Sequence, residues 1–375
     1  MSIRAIELRN FLSFEHAEVK LGKLNILVGP NASGKSNFVK ALLFLSRLIR
    51  VDVEAACQHI GLAFQKLIYN FDLDRELGLK VHLRVKGEEL IYEVAVKREQ
   101  ITMERLARKD GTVLMERMKQ IPPKRAWYLS REGEIIPIPF ELLKPFRSLF
   151  SCIEDARADR LLLDAREALG GFRAYSFEPS RIRSRARSGL SLELARDGSN
   201  LAQVLHSLLT SDRKRFLAIE EALKSLIPEV EELNTPTTRD GQMTYITLRE
   251  KGLRMPLGCP NISDGTLRLL AFITAIHLGG SLVAFEEPEN CVHPYLFQSL
   301  INICRHGPSQ VVITTHSPYL VDKAEPGELL LVAKREGRSI IRRLTAEEKE
   351  LARKMLEEGF TLGEIWYMGE LGGRP

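Results

Sequence analysis

Residues 29 to 36 read Gly-Pro-Asn-Ala-Ser-Gly-Lys-Ser, two glycines enclosing four residues and followed at once by a lysine and a hydroxyl. This pattern constrains the chain more than any other feature. A backbone that wraps a phosphate with its N–H groups turned inward needs glycine where the chain bends or approaches closely. The apolar run Leu24–Val28 before the loop reads as a buried strand, and Lys35 to Arg50 after it reads as a helix with a wide apolar face, including Phe38, Val39, Leu42, Leu43, Leu45 and Ile49. Strand, glycine loop and helix together are the context that gives the motif its meaning. The helix start adds a favourable field for an anion. Gly29, Pro30, Asn31, Ala32, Ser33 and Gly34 are then the phosphate cradle, Lys35 reaches the β- and γ-phosphates, and the Ser36 hydroxyl ligates Mg²⁺. ATP with Mg²⁺ is the expected ligand.

The flanking pattern predicts strands over 3–9 and 15–21, then an antiparallel meander from Leu77 to Met118 with turns at Gly87 and Gly111. Residues from Phe140 to Ile227 are helical in pattern apart from a loop carrying Arg181, Arg183, Arg185 and Arg187, with Arg173 before it, and Tyr245 to Leu253 returns as a strand. A helix opens at Ser263-Asp-Gly-Thr and stops at Gly279-Gly280. Two apolar strands, Leu282–Phe285 and Gln310–Thr315, each end in polar chemistry, Glu286-Glu287 and His316. Alternating strands and helices with functional groups at strand C-termini describe a parallel α/β sheet. The expected fold is α/β: one head over 1–375 with a mixed central sheet, an N-terminal lobe over 1–139 carrying the loop and the meander, a helical insert over 140–255, and a C-terminal lobe over 256–375.

Adjacent carboxylates at a strand end divide labour, because consecutive side chains diverge. Glu286 is the candidate metal ligand, and Glu287 the base that orients and deprotonates the attacking water. His316, beyond the next strand, can hydrogen-bond that water or the γ-phosphate.

Four elements then stand in order: Gly29 to Ser36, Ser263-Asp-Gly-Thr, Phe285-Glu-Glu-Pro-Glu-Asn and Thr315-His-Ser-Pro. The set resembles the ABC-type P-loop ATPases, in the branch that holds the RecF, SMC and OLD families. Asn31, the pair Ser36-Asn37, and the opening Ile-Arg-Ala-Ile-Glu-Leu-Arg-Asn-Phe are similar to that branch. Glu286-Glu287-Pro288-Glu289-Asn290 with His293-Pro294, Arg196-Asp-Gly-Ser-Asn-Leu-Ala and Leu362-Gly-Glu-Ile-Trp look closest to its small OLD-like ATPases. The resemblance implies a homodimeric sandwich in which Ser263 and Gly265 of one subunit meet the γ-phosphate held by the other, with Asp264 and Thr266 beside them and Asn290 at the interface. It implies an adenine contact from the early loop at Ser13 and Phe14. Glu286 departs from the family by one methylene, since many relatives have Asp there, and Gln100 and Gln120 are the candidates for a glutamine linking the lobes.

Composition narrows the remaining classes. Five scattered cysteines form no Cys-x-x-Cys pair, which argues for reduced thiols rather than zinc or a disulfide framework. The N-terminus lacks a signal-peptide core and no run is long enough to span a bilayer, so a cytoplasmic protein without membrane insertion is expected. Net charge is +5, from 54 basic and 49 acidic residues, too mild to announce nucleic acid by itself. No heptad arm is present, and the 59 residues after His316 (375 minus 316) are too few for an appended nuclease domain. The leading expectation is an ATP-driven switch acting with DNA, in repair or in defence against foreign DNA, together with a separate effector such as a nuclease. A transporter ATPase subunit and a nucleotide-gated interaction protein with little turnover are the alternatives.

Overall fold

The computed structural model describes residues 2–117, 126–139, 141–153 and 155–371. Gln120, and the expected boundary residues Met118 and Phe140, lie outside the described residues. In chain order, β1 (Ser2–Phe11) and β2 (Phe14–Lys20) form a hairpin, and β3 (Leu24–Val28) leads into the glycine loop and α1 (Lys35–Leu48). After α2 (Val53–His59) come the meander strands β4 (Leu77–Val85), β5 (Glu88–Lys97), β6 (Gln100–Arg108), β7 (Val113–Arg117), β8 (Ala126–Leu129) and β9 (Ile135–Pro137). The middle of the chain holds α3 (Arg160–Gly170), β10 (Phe172–Tyr175), α4 (Pro179–Ile182), β11 (Ala186–Arg187), α5 (Leu201–Ser211), α6 (Arg213–Leu226), β12 (Val230–Asn234), β13 (Met243–Thr244), β14 (Thr247–Glu250) and β15 (Leu257–Gly258). The last part runs α7 (Asp264–Leu278), β16 (Leu282–Glu286), α8 (Phe297–His306), β17 (Gln310–Thr315), α9 (Pro318–Val321), β18 (Leu329–Arg335), β19 (Arg338–Arg343), α10 (Ala346–Glu357) and α11 (Leu362–Met368).

Two large sheets result. One is antiparallel, with eight strands in the order β2-β1-β4-β5-β6-β7-β8-β9, so the N-terminal hairpin and the meander are one sheet rather than a hairpin plus an insert. The other has the order β10-β16-β17-β3-β18-β19, parallel except for the last pair. Period-2 alternation gives the parallel sheet two apolar faces. Leu27, Leu282, Ala284, Val312, Leu330 and Val332 enter the core shared with α1, α3 and the antiparallel sheet. Ile26, Val28, Val283, Phe285, Val311, Ile313, Leu329 and Leu331 enter a second core with α5 to α8 and α11.

The two sheets are joined by buried amides. Gln310 donates to the carbonyls of Ile3 (2.8 Å) and Gly22 (2.6 Å) and accepts from the Ile3 N–H (2.9 Å). Asn25 donates to the Gly22 and Val311 carbonyls, at 3.0 Å each. Buried amides keep such positions only when their hydrogen bonds are met, and these are.

The expected helical insert over 140–255 needs correction. Besides α3, α5 and α6 it contains β10, which pairs with β16 as the edge strand of the parallel sheet, and β12 and β14, two strands of a separate three-stranded sheet in the order β12-β14-β15 whose last strand lies just beyond the stretch. The four residues of β10, directly after Gly171, carry too little pattern to stand out from the helical stretch around them. The arginine segment is likewise not an open loop, since it forms α4 and then β11, which pairs with β13.

Candidate functional site

The phosphate loop lies at the C-terminal edge of the parallel sheet, directly after the central strand β3. A Cβ on Gly29 would stand 2.0 Å from the Val332 carbonyl oxygen, so the close passage of β18 demands glycine there. Gly34 has φ +116°, and a Cβ on it would stand 2.3 Å from Ser339 Oγ. Gly34 is also the N-cap of α1 and supplies no side chain to the first-turn N–H groups, which stay open to an anion. Ala32 has φ +59°, a second reversal in the loop. Ser33 Oγ is buried without a partner.

Lys35 is buried, and its ammonium donates to the Gly29 (2.6 Å) and Pro30 (3.0 Å) carbonyls of its own loop. Burial pushes its pKa down, and the charges of Glu287 and Glu289 oppose that shift. Ser36 is exposed at the start of α1, next to Asn37, whose amide donates to Ser13 Oγ (2.8 Å). Ser339 Oγ donates to the Ser33 carbonyl (2.6 Å) and is hydrogen-bonded to the Ser13 hydroxyl (2.7 Å), tying the early loop, β19 and the phosphate loop together. Ser13 therefore adjoins the loop, whereas the Phe14 ring is fully buried in the first core. An adenine contact from that ring is ruled out in this conformation, because the outward-inward alternation of β2 points it inward.

Across β17 from β3 lies β16, with Glu286 in register with Thr314 and Val28 in register with Thr315. The two carboxylates are held differently. Glu286 forms an ion pair with Arg196. Glu287 has φ +47°, a conformation rare for a residue with a Cβ, and its N–H donates to the Thr314 carbonyl (2.9 Å). That turn delivers its carboxylate to His316 Nδ1 (3.1 Å) on one oxygen and to the Asn290 amide (2.9 Å) on the other. Glu289 is buried with its pKa raised by burial; Thr315 Oγ1 donates to one of its oxygens and the other has no partner.

Ser263 caps α7, accepting from the Thr266 N–H (3.1 Å), and both Ser263 and Asp264 are exposed. A Cβ on Gly265 would meet the Cys291 carbonyl oxygen at 2.5 Å, so the α7 start packs against the loop after Glu287. Arg183, from the arginine segment, ion-pairs with Asp264 and donates to the Cys259 and Pro260 carbonyls. Arg185 sits over the Tyr245 ring, 5.7 Å from its centroid, and Arg181 is 3.9 Å from Glu178. Gln100 opens β6 opposite Lys97 in the antiparallel sheet, away from the sheet edge that bears the carboxylates.

Sequence reasoning missed three participants. Arg196 stood in a segment noted only for its resemblance to relatives. Glu289 was read as part of a motif without a role. Ser339 carried no signal, since its partners are more than 300 residues away in sequence. The residues present fit a magnesium nucleotide: an open helix start, a glycine cradle that a Cβ would fill, a buried lysine, a hydroxyl at Ser36 and a carboxylate at Glu286. No cluster of three or more His, Cys, Asp or Glu able to hold a metal exists among the described residues.

The family described as "AAA domain, putative AbiEii toxin, Type IV TA system" matches residues 24–322. Among curated proteins, the DNA double-strand break repair Rad50 ATPase of Saccharolobus solfataricus is 44% identical over 45 residues, 12% of this chain and 5% of that protein. Among solved structures, an Smc head bound to the C-terminal winged-helix domain of ScpA superimposes with a TM-score of 0.57 at 13% identity, covering 93% of this chain and 99% of that one. An Smc head with an extended coiled coil, bound to the C-terminal domain of ScpA derived from Pyrococcus furiosus, gives a TM-score of 0.51 at 14% identity, covering 95% and 99%. At such identities these structures establish the fold, an ABC-type head of the SMC kind. No helix among the described residues is long and apolar enough to cross a membrane.

Proposed function

The chain belongs to the AAA-domain family that includes the putative AbiEii toxins, and from that premise we propose that it binds and hydrolyses ATP with Mg²⁺ as a dimerising switch. The observation that carries the reading is the setting of Glu287, turned out of β16 by a positive φ and gripped by His316 and Asn290 beside the glycine loop. A carboxylate so oriented can take a proton from water while the imidazole steadies the charge that develops. Water oxygen then bonds to the γ-phosphorus, the bond from that phosphorus to the β,γ-bridging oxygen breaks, and ADP and phosphate leave. Lys35 holds the β- and γ-phosphates once it exchanges its loop carbonyls for them. Ser36 and Glu286 would hold Mg²⁺, which would supply charge neutralisation at the phosphates.

Exposed Ser263 and Asp264 at the α7 start suit a site completed by a second copy, with Gly265 and Asn290 near the junction. DNA is the proposed partner in repair or in defence, with a separate effector, and support for it comes from the short Rad50 likeness rather than from the arginine segment, where Arg183 is already engaged. The cytoplasm is the proposed location. A second reading, a nucleotide-gated interaction protein with slow turnover, is favoured by the ion pair that occupies Glu286.

The test is binding of a fluorescent ATP analogue and steady-state hydrolysis, with and without duplex DNA, for the natural protein, Lys35→Ala and Glu287→Gln. Lys35→Ala should lose productive binding. Glu287→Gln should bind ATP, accumulate as a dimer and turn over about 10²-fold more slowly. Full turnover by Glu287→Gln would remove the assignment of the base, and binding without turnover in the natural protein would select the second reading.

A further inference from the structure

We propose that Arg196 is an internal cation that competes with the divalent metal for Glu286, and so sets how much Mg²⁺ the site requires. The inference rests on the ATP reading and names a regulator of that same site.

Arg196 is placed there by a built turn rather than by a wandering side chain. The Arg196 carbonyl accepts from the Ser176 N–H (2.9 Å) and the Asp197 carbonyl from the Glu178 N–H (3.1 Å), fastening the turn to the chain that leaves β10. Asn200 closes it from below, accepting from the Ala195 N–H (2.8 Å) and donating to the Glu193 carbonyl (2.9 Å). Gly198 has φ +79°, and a Cβ there would strike Ile182 Cγ1 at 2.8 Å, so the turn packs directly on α4. Because β10 is the parallel neighbour of β16, a residue just beyond the C-terminal end of β10 is delivered to the C-terminal end of β16, where Glu286 stands.

The pair is unequal. The Glu286 side chain is 12% exposed and that of Arg196 39%. A carboxylate that is largely withdrawn from water needs a cation beside it, while a guanidinium with open solvent on its other side can leave. Glu286 therefore has a resident positive charge before any metal arrives. A divalent ion and a guanidinium on one carboxylate repel each other strongly, more so at this partly buried position than in bulk water. One must yield, and Arg196 has the solvent-facing route. A guanidinium released at the mouth of the site remains next to the region where phosphate charge collects, and there it favours the transition state.

The reasoning gives removal of the guanidinium opposite effects on two measurements. In Arg196→Ala, the Mg²⁺ concentration for half-maximal binding of a fluorescent ATP analogue should fall about fivefold, while single-turnover hydrolysis at saturating Mg²⁺ should fall about tenfold or more. Arg196→Lys, which keeps a cation, should leave the Mg²⁺ requirement within about twofold of the natural protein. A residue that merely braces the 195–200 turn would weaken both quantities together, so a raised or unchanged Mg²⁺ requirement in a folded Arg196→Ala protein overturns the proposal. A natural protein that binds no ATP analogue at any Mg²⁺ concentration overturns the ATP reading and this inference with it, an outcome distinguishable because it needs no variant.

Discussion

Replacing Arg183 with Ala should loosen the start of α7 without emptying the phosphate loop. In the structure this guanidinium does three things: it pairs with Asp264, and it donates to the carbonyls of Cys259 and Pro260. The Asp264 side chain is 51% exposed, so water screens the ion pair and its share is at most about 1 kcal/mol. Of the two carbonyl contacts, the one to buried Cys259 carries most of the energy and the one to exposed Pro260 is long at 3.3 Å, and together they add about 1 kcal/mol. The total loss for Arg183→Ala is therefore up to about 2 kcal/mol, of which at most half is coupled to Asp264. Urea unfolding of Arg183→Ala, Asp264→Ala and the double variant gives that coupling directly. Fluorescent ATP should still bind, since no contact of the loop is touched, but ATP-driven dimerisation should weaken because Ser263 and Gly265 hang from the segment that Arg183 fastens. A neutral Arg183→Ala, or a coupling energy equal to the whole loss, would refute this division. So would a full phosphate contact by Arg183 in DNA titrations, where replacing Arg181, Arg185 and Arg187 should account for the entire change in salt slope.

Gly34→Ala should abolish nucleotide binding, because φ +116° and the 2.3 Å approach to Ser339 Oγ both act against a Cβ; retained affinity for a fluorescent ATP analogue would contradict the cradle. Mixing Ser263→Arg with Lys35→Ala should restore part of the lost turnover through mixed dimers that carry one intact site, and a monomeric Ser263→Arg protein with normal turnover would exclude a shared site. Arg342 donates to both oxygens of Glu348 (2.6 and 2.7 Å) and holds its carboxyl below the ordinary value of 4.5. The stabilisation, about 1 kcal/mol or less for this partly exposed pair, is thus fully present above pH 4.5 and is lost as pH falls through the lower folded value. Thermal melts of the natural protein and Glu348→Gln should therefore converge as pH drops from about 6 to about 3, and a difference that persists at low pH would contradict the assignment.

Much of the site was legible in sequence because its chemistry is local. Residues 29–36 impose their own geometry through two glycines and a helix start, and Leu282–Phe285 and Gln310–Thr315 read as buried strands because both faces of a parallel sheet are apolar. Expectations failed where a short element or a long-range contact decided the outcome. Four residues of β10 carried no period, so the edge strand was absorbed into a helical stretch. Phe14 was expected near adenine, yet its place in the pleat of β2 sends it into the core. The arginine segment was read as a surface loop, but Arg183 belongs to the scaffold of α7.

By itself, then, the order of residues determined the strand, glycine loop and helix start, since a loop of this shape is specified by neighbours along the chain. Only the tertiary structure decided what surrounds those groups. The Val332 carbonyl that requires Gly29, the Ser339 hydroxyl behind Gly34, the His316 that grips Glu287, and the Arg196 that occupies Glu286 all arrive from other parts of the chain. Strand order brings them together, and strand order is fixed by packing two apolar faces of one sheet rather than by any local pattern.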